Sequence, residues 1–314
     1  MKKKGSGTSH AKIILIGEHS VVYGQPAIAL PLSRVTCNVT MIATDAQERT
    51  IDSRYFDGPL DQLPTALQGI GTLITQLIHL FSGEQDYWRM RITSMLPAER
   101  GMGSSAATAI AIVKAFFDYY GQTPTRSQLL QLADIEEQVT HRSPSGLDAA
   151  TVSSEAPIWF IKDQESTALA MNVNATLLIV DTGVEGQTKE AINAVKKQLA
   201  LHPVVTQQRL QRLGDLTDET KHHLQTGDIV GLGQCLTAAQ QQLAALTVSH
   251  PALDTLIDLA LVDGALGAKL TGGGRGGCFI ALLDSEARAQ RLAKKMVSAG
   301  ASATWIQPLT NGRN

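Results

Sequence analysis

The stretch from Leu96 to Phe117, LPAERGMGSSAATAIAIVKAFF, constrains the fold more than any other part of the chain. Strand-like text, YWRMRITSML, runs into two glycines and two serines, and an alanine- and isoleucine-rich run then continues without glycine or proline until Gly121. Such a run reads as a helix from Ser104 to Tyr120, stopped by Gly121. A second helix follows from Pro124 to about Thr140, with Thr123 as the expected N-cap and proline in the first turn. A strand followed by two helices in succession is not the alternation of a doubly wound sheet. It predicts an α+β fold.

The remaining text fits that class. AKIILIG, PAIALPL and RVTCNVTMIAT read as three strands, TALQGIGTLITQLIHLFSG as a helix ended at Gly83, ATLLIVDTG as a further strand, and Thr188 to Leu201 as a helix. Near the C-terminus GALGAKLTGGGRGGCFIALL reads as a glycine loop feeding a strand. At 314 residues and 43% hydrophobic, the chain exceeds what one core usually holds. Two domains are expected, 1–175 and 176–314, with the boundary between residues 165 and 185. The cysteines, Cys37, Cys235 and Cys278, have no metal-binding or paired spacing. Reduced thiols in a cytoplasmic protein are the expectation. The charged start MKKKGSGTSH has no apolar core of a signal peptide behind it, and no run of about 18 apolar residues offers a membrane span.

What the glycine-serine mouth holds is left open by its own residues. Gly101 and Gly103 could form a plain turn before a helix whose alanines allow close packing. GMGSSA also fits G-x-G-x-x-A, but a second helix follows where a dinucleotide-binding unit needs a strand. The third reading is a phosphate cradle, with glycines admitting an anion to backbone N–H groups at a helix N-terminus and Ser104 and Ser105 adding hydroxyls. A net charge of −2 means that any anionic ligand must be met by local groups, and it disfavours nucleic acid as a partner. Two further constellations bear on this. Lys12, Glu18 and His19 lie close to strand text, where charge is costly unless paired; they could meet a ligand, or Lys12 and Glu18 could simply pair at the surface. In DIEEQVTHRSPSGLDAA, Glu137 ends a helix and Asp148 follows eleven residues later. Two carboxylates beside a phosphate cradle could divide between metal binding and catalysis, or Asp148 could cap the next helix.

Three blocks, KIILIGEHSVVYGQPAIAL, LPAERGMGSSAATAIA and KLTGGGRGGCFIALL, resemble in order and spacing the three signature motifs of the GHMP kinases. Within that superfamily GEHSVVYGQPAIA, together with E-x3-H-x2-PSG-x-D from Glu137 to Asp148, is similar to the mevalonate kinases. Galactokinases carry an Asp-Tyr pair where this chain has Ser20 and Val21, and phosphomevalonate kinases usually read Gly-Glu-Tyr at Gly17-Glu18-His19. The resemblance implies an α+β fold of two domains, the first like domain 2 of ribosomal protein S5 and the second ferredoxin-like. It implies ATP and Mg2+ as cofactors, mevalonate as the small-molecule partner, and a homodimer as one option.

The roles that follow are implications of this likeness. The loop Pro97, Gly101, Met102, Gly103, Ser104 and Ser105 would wrap the ATP phosphates, with Ser94 just upstream. Ser105 and Glu137 match the magnesium ligands. Asp148 matches the catalytic aspartate that accepts the proton of the C5 hydroxyl, and Lys12 the lysine beside it. Glu18, His19 and Ser145 fall on the substrate side. Arg142 is a candidate from position and not from likeness: it lies six residues before Asp148, where its fork suits the carboxylate at the substrate's far end or could point to solvent. The chain departs from the usual pattern at Ala11, Arg142, Arg275 and the Glu99-Arg100 pair. A non-catalytic relative would be expected to have lost Lys12, Ser105, Glu137 or Asp148, and all four are present.

Overall fold

A computed structural model describes residues 3–96, 100–140 and 146–309. In chain order the elements are β1 (Lys4–Ile16), β2 (Ala27–Ala43), β3 (Thr50–Asp52), β4 (Asp57–Pro59), α1 (Gln68–Leu80), β5 (Trp88–Ser94), α2 (Ser104–Tyr119), α3 (Arg126–Thr140) and α4 (Leu147–Val152). The chain continues through β6 (Ile158–Phe160), β7 (Thr167–Ala168), β8 (Ala175–Asp181), α5 (Thr188–Leu201), α6 (Pro203–Thr226), α7 (Ile229–Ala245) and α8 (Pro251–Val262). It ends with β9 (Gly267–Leu270), β10 (Cys278–Leu283), α9 (Glu286–Ser298) and β11 (Ala303–Leu309). These residues form two compact units that share the chain in alternation. One unit takes Met1–Lys12, Pro31–Ala98 and Gly103–Glu155; the other takes Ile13–Leu30, Glu99–Met102 and Ala156–Asn314.

In the first unit β2 runs antiparallel to β5, from Cys37 opposite Ser94 to Ala43 opposite Trp88, and β3 joins the far edge of β5 in parallel. Helix α2 is the centre of this unit. Its alanines at 106, 107, 109, 111 and 115 are buried, together with Ile110, Ile112, Val113, Phe116 and Phe117. Small side chains let the strand backbone approach closely: a Cβ on Gly7 of β1 would lie 2.0 Å from the carbonyl oxygen of Ala111. The aromatic end is locked by Trp88 edge-on to Phe116 and by Phe81 stacked on Tyr120.

Two local expectations change. The strands expected at PAIALPL and RVTCNVTMIAT are one 17-residue strand, β2. Pro31 is tolerated because it falls between the residues paired with β6, Ala27–Ala29, and those paired with β5, Cys37–Ala43. Helix α3 is capped at Thr125 rather than Thr123. The Thr125 hydroxyl accepts from the Gln128 N–H, and the Gln128 side chain accepts from the Thr125 N–H in return, a reciprocal capping box.

In the second unit β11, β8, β10 and β9 form an antiparallel sheet in that order. This is the strand order of a ferredoxin-like sheet, with four helices, α5 to α8, between its first two strands and α9 between its last two. Strands β8 and β10 are buried along their whole length. Among the described residues no helix is long and apolar enough to cross a membrane.

Candidate active site

Lys12 lies on β1 with only 2% of its surface exposed, so its ammonium requires a partner. That partner is Asp148: Nζ stands 2.8 Å from Oδ1, and the carboxylate side remains about one-third open, at 34%. Asp148 occupies the first turn of α4, whose N-cap is Gly146 in the left-handed region at φ 74°. Asp148 is therefore inside the helix rather than its cap, and its carboxylate faces the lysine. The lysine stem in turn lies against Gly103, where a Cβ would come within 2.8 Å of Lys12 Cγ. Glycine is required there twice over, since φ is 70°.

Gly103 is the N-cap of α2 and offers no side chain to the helix mouth. The N–H groups of the first turn, where Ser104 and Ser105 stand, remain for an anion. Glu137, near the end of α3, is buried, and its Oε2 has no hydrogen-bond partner among the described residues. Burial above all, then the negative charges of Asp148, Asp134 and Glu136, push its carboxyl up to about 7 against the opposing pull of Lys12. A carboxylate oxygen without a partner in a negative environment is the setting that a cation relieves. One carboxylate with a serine hydroxyl suits Mg2+, which takes few protein ligands and completes its shell with phosphates and water. Ser94 ends β5, where its hydroxyl accepts from the Leu96 N–H at 3.1 Å.

The second unit holds Glu18, His19 and the glycine loop after β9. Glu18 and Lys269 form an ion pair in which both side chains are buried, and Lys269 Nζ also donates to the Leu270 carbonyl at 2.7 Å. Glu18 thus pairs with Lys269, and the alternative of a surface Lys12–Glu18 pair is set aside. His19 has a positive φ of 60°, and burial first, then nearby Lys269, pulls its imidazole down to about 4, opposed by its bond to the Gly273 carbonyl. The ring is neutral at pH 7, so Nε2 donates to that carbonyl, 3.0 Å away, and Nδ1 is left as an acceptor. The glycine loop after β9 is fastened at its start by Thr271, whose hydroxyl donates to the Ile14 carbonyl and accepts from the Ile14 N–H. Arg275, at φ 55°, donates from Nε to the Thr247 carbonyl and from its own N–H to Val248. Gly101 lies on this loop, where a Cβ would meet the Thr271 oxygen at 3.1 Å, and the neighbouring Met102 is buried.

The first unit therefore brings together Lys12, Asp148, Glu137, Gly103 and the α2 mouth with Ser104 and Ser105. Glu18, His19, Gly101 and Met102 belong to the second. Pro97, Arg142 and Ser145, and Glu99 among the departures, lie outside the described residues. Sequence reasoning missed Lys269, although a lone lysine in the apolar run GALGAKL was a signal that it needed a buried counter-charge. It also missed Asp181 as the partner of Arg100.

Comparisons with known proteins identify the relatives of this chain. The model of the GHMP kinase N-terminal domain matches residues 72–155, and that of the GHMP kinase C-terminal region matches residues 220–302. A mevalonate kinase of Pyrococcus horikoshii is 30% identical over 311 residues, covering 92% of this chain and 91% of that protein. The chain belongs to the mevalonate kinase family of the GHMP kinases. Among solved members, the mevalonate kinase of Staphylococcus aureus MRSA252 is 31% identical, with 99% and 100% of the two chains covered and a TM-score of 0.77. The L. major mevalonate kinase in complex with R-mevalonate superposes over 100% of this chain and 98% of its own at a TM-score of 0.84, and at 24% identity it speaks for the fold. The α+β fold with its ferredoxin-like sheet is thus that of the mevalonate kinase family.

Proposed function

We propose that this kinase transfers the γ-phosphoryl group of ATP to the C5 hydroxyl of mevalonate, giving 5-phosphomevalonate and ADP for isoprenoid biosynthesis. The observation that carries the reading is the pair of Lys12 and Asp148: a buried ammonium 2.8 Å from a carboxylate that is still about one-third exposed. A carboxylate fixed on one side and open on the other can accept a proton from an incoming hydroxyl.

Asp148 takes the hydroxyl proton as the oxygen attacks, and Lys12 holds the carboxylate in place and steadies the negative charge on the group in transfer. The first-turn N–H groups of α2 and the glycines before them bind the phosphates. Ser105 and Glu137 would hold Mg2+, which supplies neutralisation of phosphate charge when bound with ATP. Ser94 and Pro97 fall on the nucleotide side in this reading. Glu18, His19, Arg142 and Ser145 fall on the mevalonate side, with His19 presenting Nδ1 as an acceptor and Arg142 its fork to the carboxylate. The three free, buried cysteines support a reducing, cytoplasmic setting.

The test is ADP release with mevalonate, phosphomevalonate, homoserine and galactose in turn. Mevalonate is expected to give kcat/KM about 100-fold or more above each of the others, since a site built for its polar groups penalises substrates that lack them. Asp148→Asn is expected to lower kcat by about 10³ while leaving KM for ATP within about threefold. Preference for another acceptor, or near-normal turnover in the variant, would refute the reading.

A further inference from the structure

Arg100 takes no part in the chemistry above, yet it is built firmly into the second unit. Its guanidinium is 16% exposed, and the Asp181 carboxylate beside it 4%. Nε donates to Asp181 at 3.2 Å and Nη2 to the Gly183 carbonyl at 3.4 Å, while Nη1 is buried without a hydrogen-bond partner among the described residues. Asp181 is no loose surface acid. It ends β8, opposite Cys278 of β10 and Ala303 of β11, and its Oδ1 accepts from the Gly183 N–H at 2.8 Å. The backbone of Arg100 is held as tightly as its side chain: a Cβ on Gly277 would come within 3.2 Å of the Arg100 carbonyl oxygen. One residue on, Gly101 rests on Thr271 and Gly272.

A guanidinium that leaves water for one carboxylate adds little net stability, but it fixes direction, because its donors have a rigid geometry. The anchor sits immediately before Gly101-Met102-Gly103, the residues on which the phosphate reading rests. We propose that Arg100 is a positioning residue: its ion pair with Asp181 holds Gly101 and Met102 of the phosphate loop in the shape that binds nucleotide. The inference rests on the reading of that loop as an ATP site. It assigns to the pair an effect on nucleotide affinity and none on the acceptor chemistry at Asp148.

The experiment compares wild type, R100K, R100A and D181N by calorimetric titration with Mg2+ and a non-hydrolysable ATP analogue in the absence of acceptor. Mevalonate affinity, kcat and thermal midpoint are measured in parallel. The expected result is a Kd for the nucleotide analogue raised about tenfold or more in both R100A and D181N, and raised less in R100K, which keeps the charge. Mevalonate affinity and kcat at saturating ATP should stay within about threefold. An unchanged nucleotide Kd in D181N beside a weakened R100A overturns the proposal, because Arg100 would then act on the nucleotide directly. Parallel weakening for both ligands overturns it as well, because the pair would then serve general stability. If wild type binds nucleotide but does not phosphorylate mevalonate, the proposed function fails and this comparison still reads.

Discussion

Lys12 and Lys269 are both withdrawn from water, and their partners separate their uses. Lys12 faces a carboxylate that solvent can reach; Lys269 faces Glu18, which is as buried as itself. Burial alone lowers the Lys269 ammonium, and the charge of Glu18 opposes that pull. Removing one member of such a pair strands the other. Lys269→Met is therefore expected to destabilise the protein by about 3–5 kcal/mol, while the double change to Met at both positions should recover much of the loss. Urea midpoints for the three proteins check this, and an unaffected single variant would contradict it. At this scale the sequence was legible through its resemblance to the GHMP kinases, which put Lys12 beside Asp148 as the structure does. It was not legible where partners are joined only by the fold, as with Glu18 and Lys269 or Arg100 and Asp181, because nothing local distinguishes one distant counter-charge from another.

Helix α2 shows that two readings of one element need not exclude each other. The structure buries its alanines in close packing along the sides and leaves the N-terminus, the mouth proposed to hold an anion, uncapped by any side chain. The close approach of β1 depends on Gly7, since a Cβ would fall 2.0 Å from the Ala111 carbonyl oxygen and 2.5 Å from the Ala115 nitrogen. Backbone cannot swing aside as a side chain can, so Gly7→Ala is expected to cost about 3 kcal/mol through overpacking. A urea midpoint equal to that of wild type would show that the strand can move off the helix. Elements with strong periodicity and clear stops, α2, α5 and β8, follow the sequence text closely. The long β2 does not, because Pro31 reads as a stop unless the ladders on either side of it are known.

Across the whole molecule, protonation links the site to stability. Glu137 titrates at about 7 in the folded protein against an ordinary 4.5, so the native state holds this proton more tightly than the unfolded chain. Its contribution is full below 4.5 and is lost as pH rises through 7, with a cost that approaches about 3 kcal/mol above that range. His19 works in the other direction: pulled down from 6.5 to about 4, it adds stability as pH rises between those values. The two oppose each other in wild type. The difference between wild type and Glu137→Gln isolates the first, because His19 is common to both. Without metal, wild type is expected to lose stability relative to the variant as pH goes from 4.5 to 8, as read by unfolding midpoints. A flat difference would mean that Glu137 ionises freely.

The alternation of the chain between its two units has a practical consequence. The backbone passes from one to the other after Lys12, Leu30, Ala98, Met102 and Glu155. Hydrolysis of any one peptide bond therefore yields fragments of which at least one is a composite of both units. A truncation after Glu155 would still carry Ile13–Leu30, including Ala27–Ala29 without the β6 residues that pair with them and Glu18 without Lys269. The segment Ile13–Leu30 that completes the second unit travels on the opposite fragment from Ala156–Asn314, so this kinase is a poor subject for dissection into separately expressed lobes and a natural one for fragment complementation.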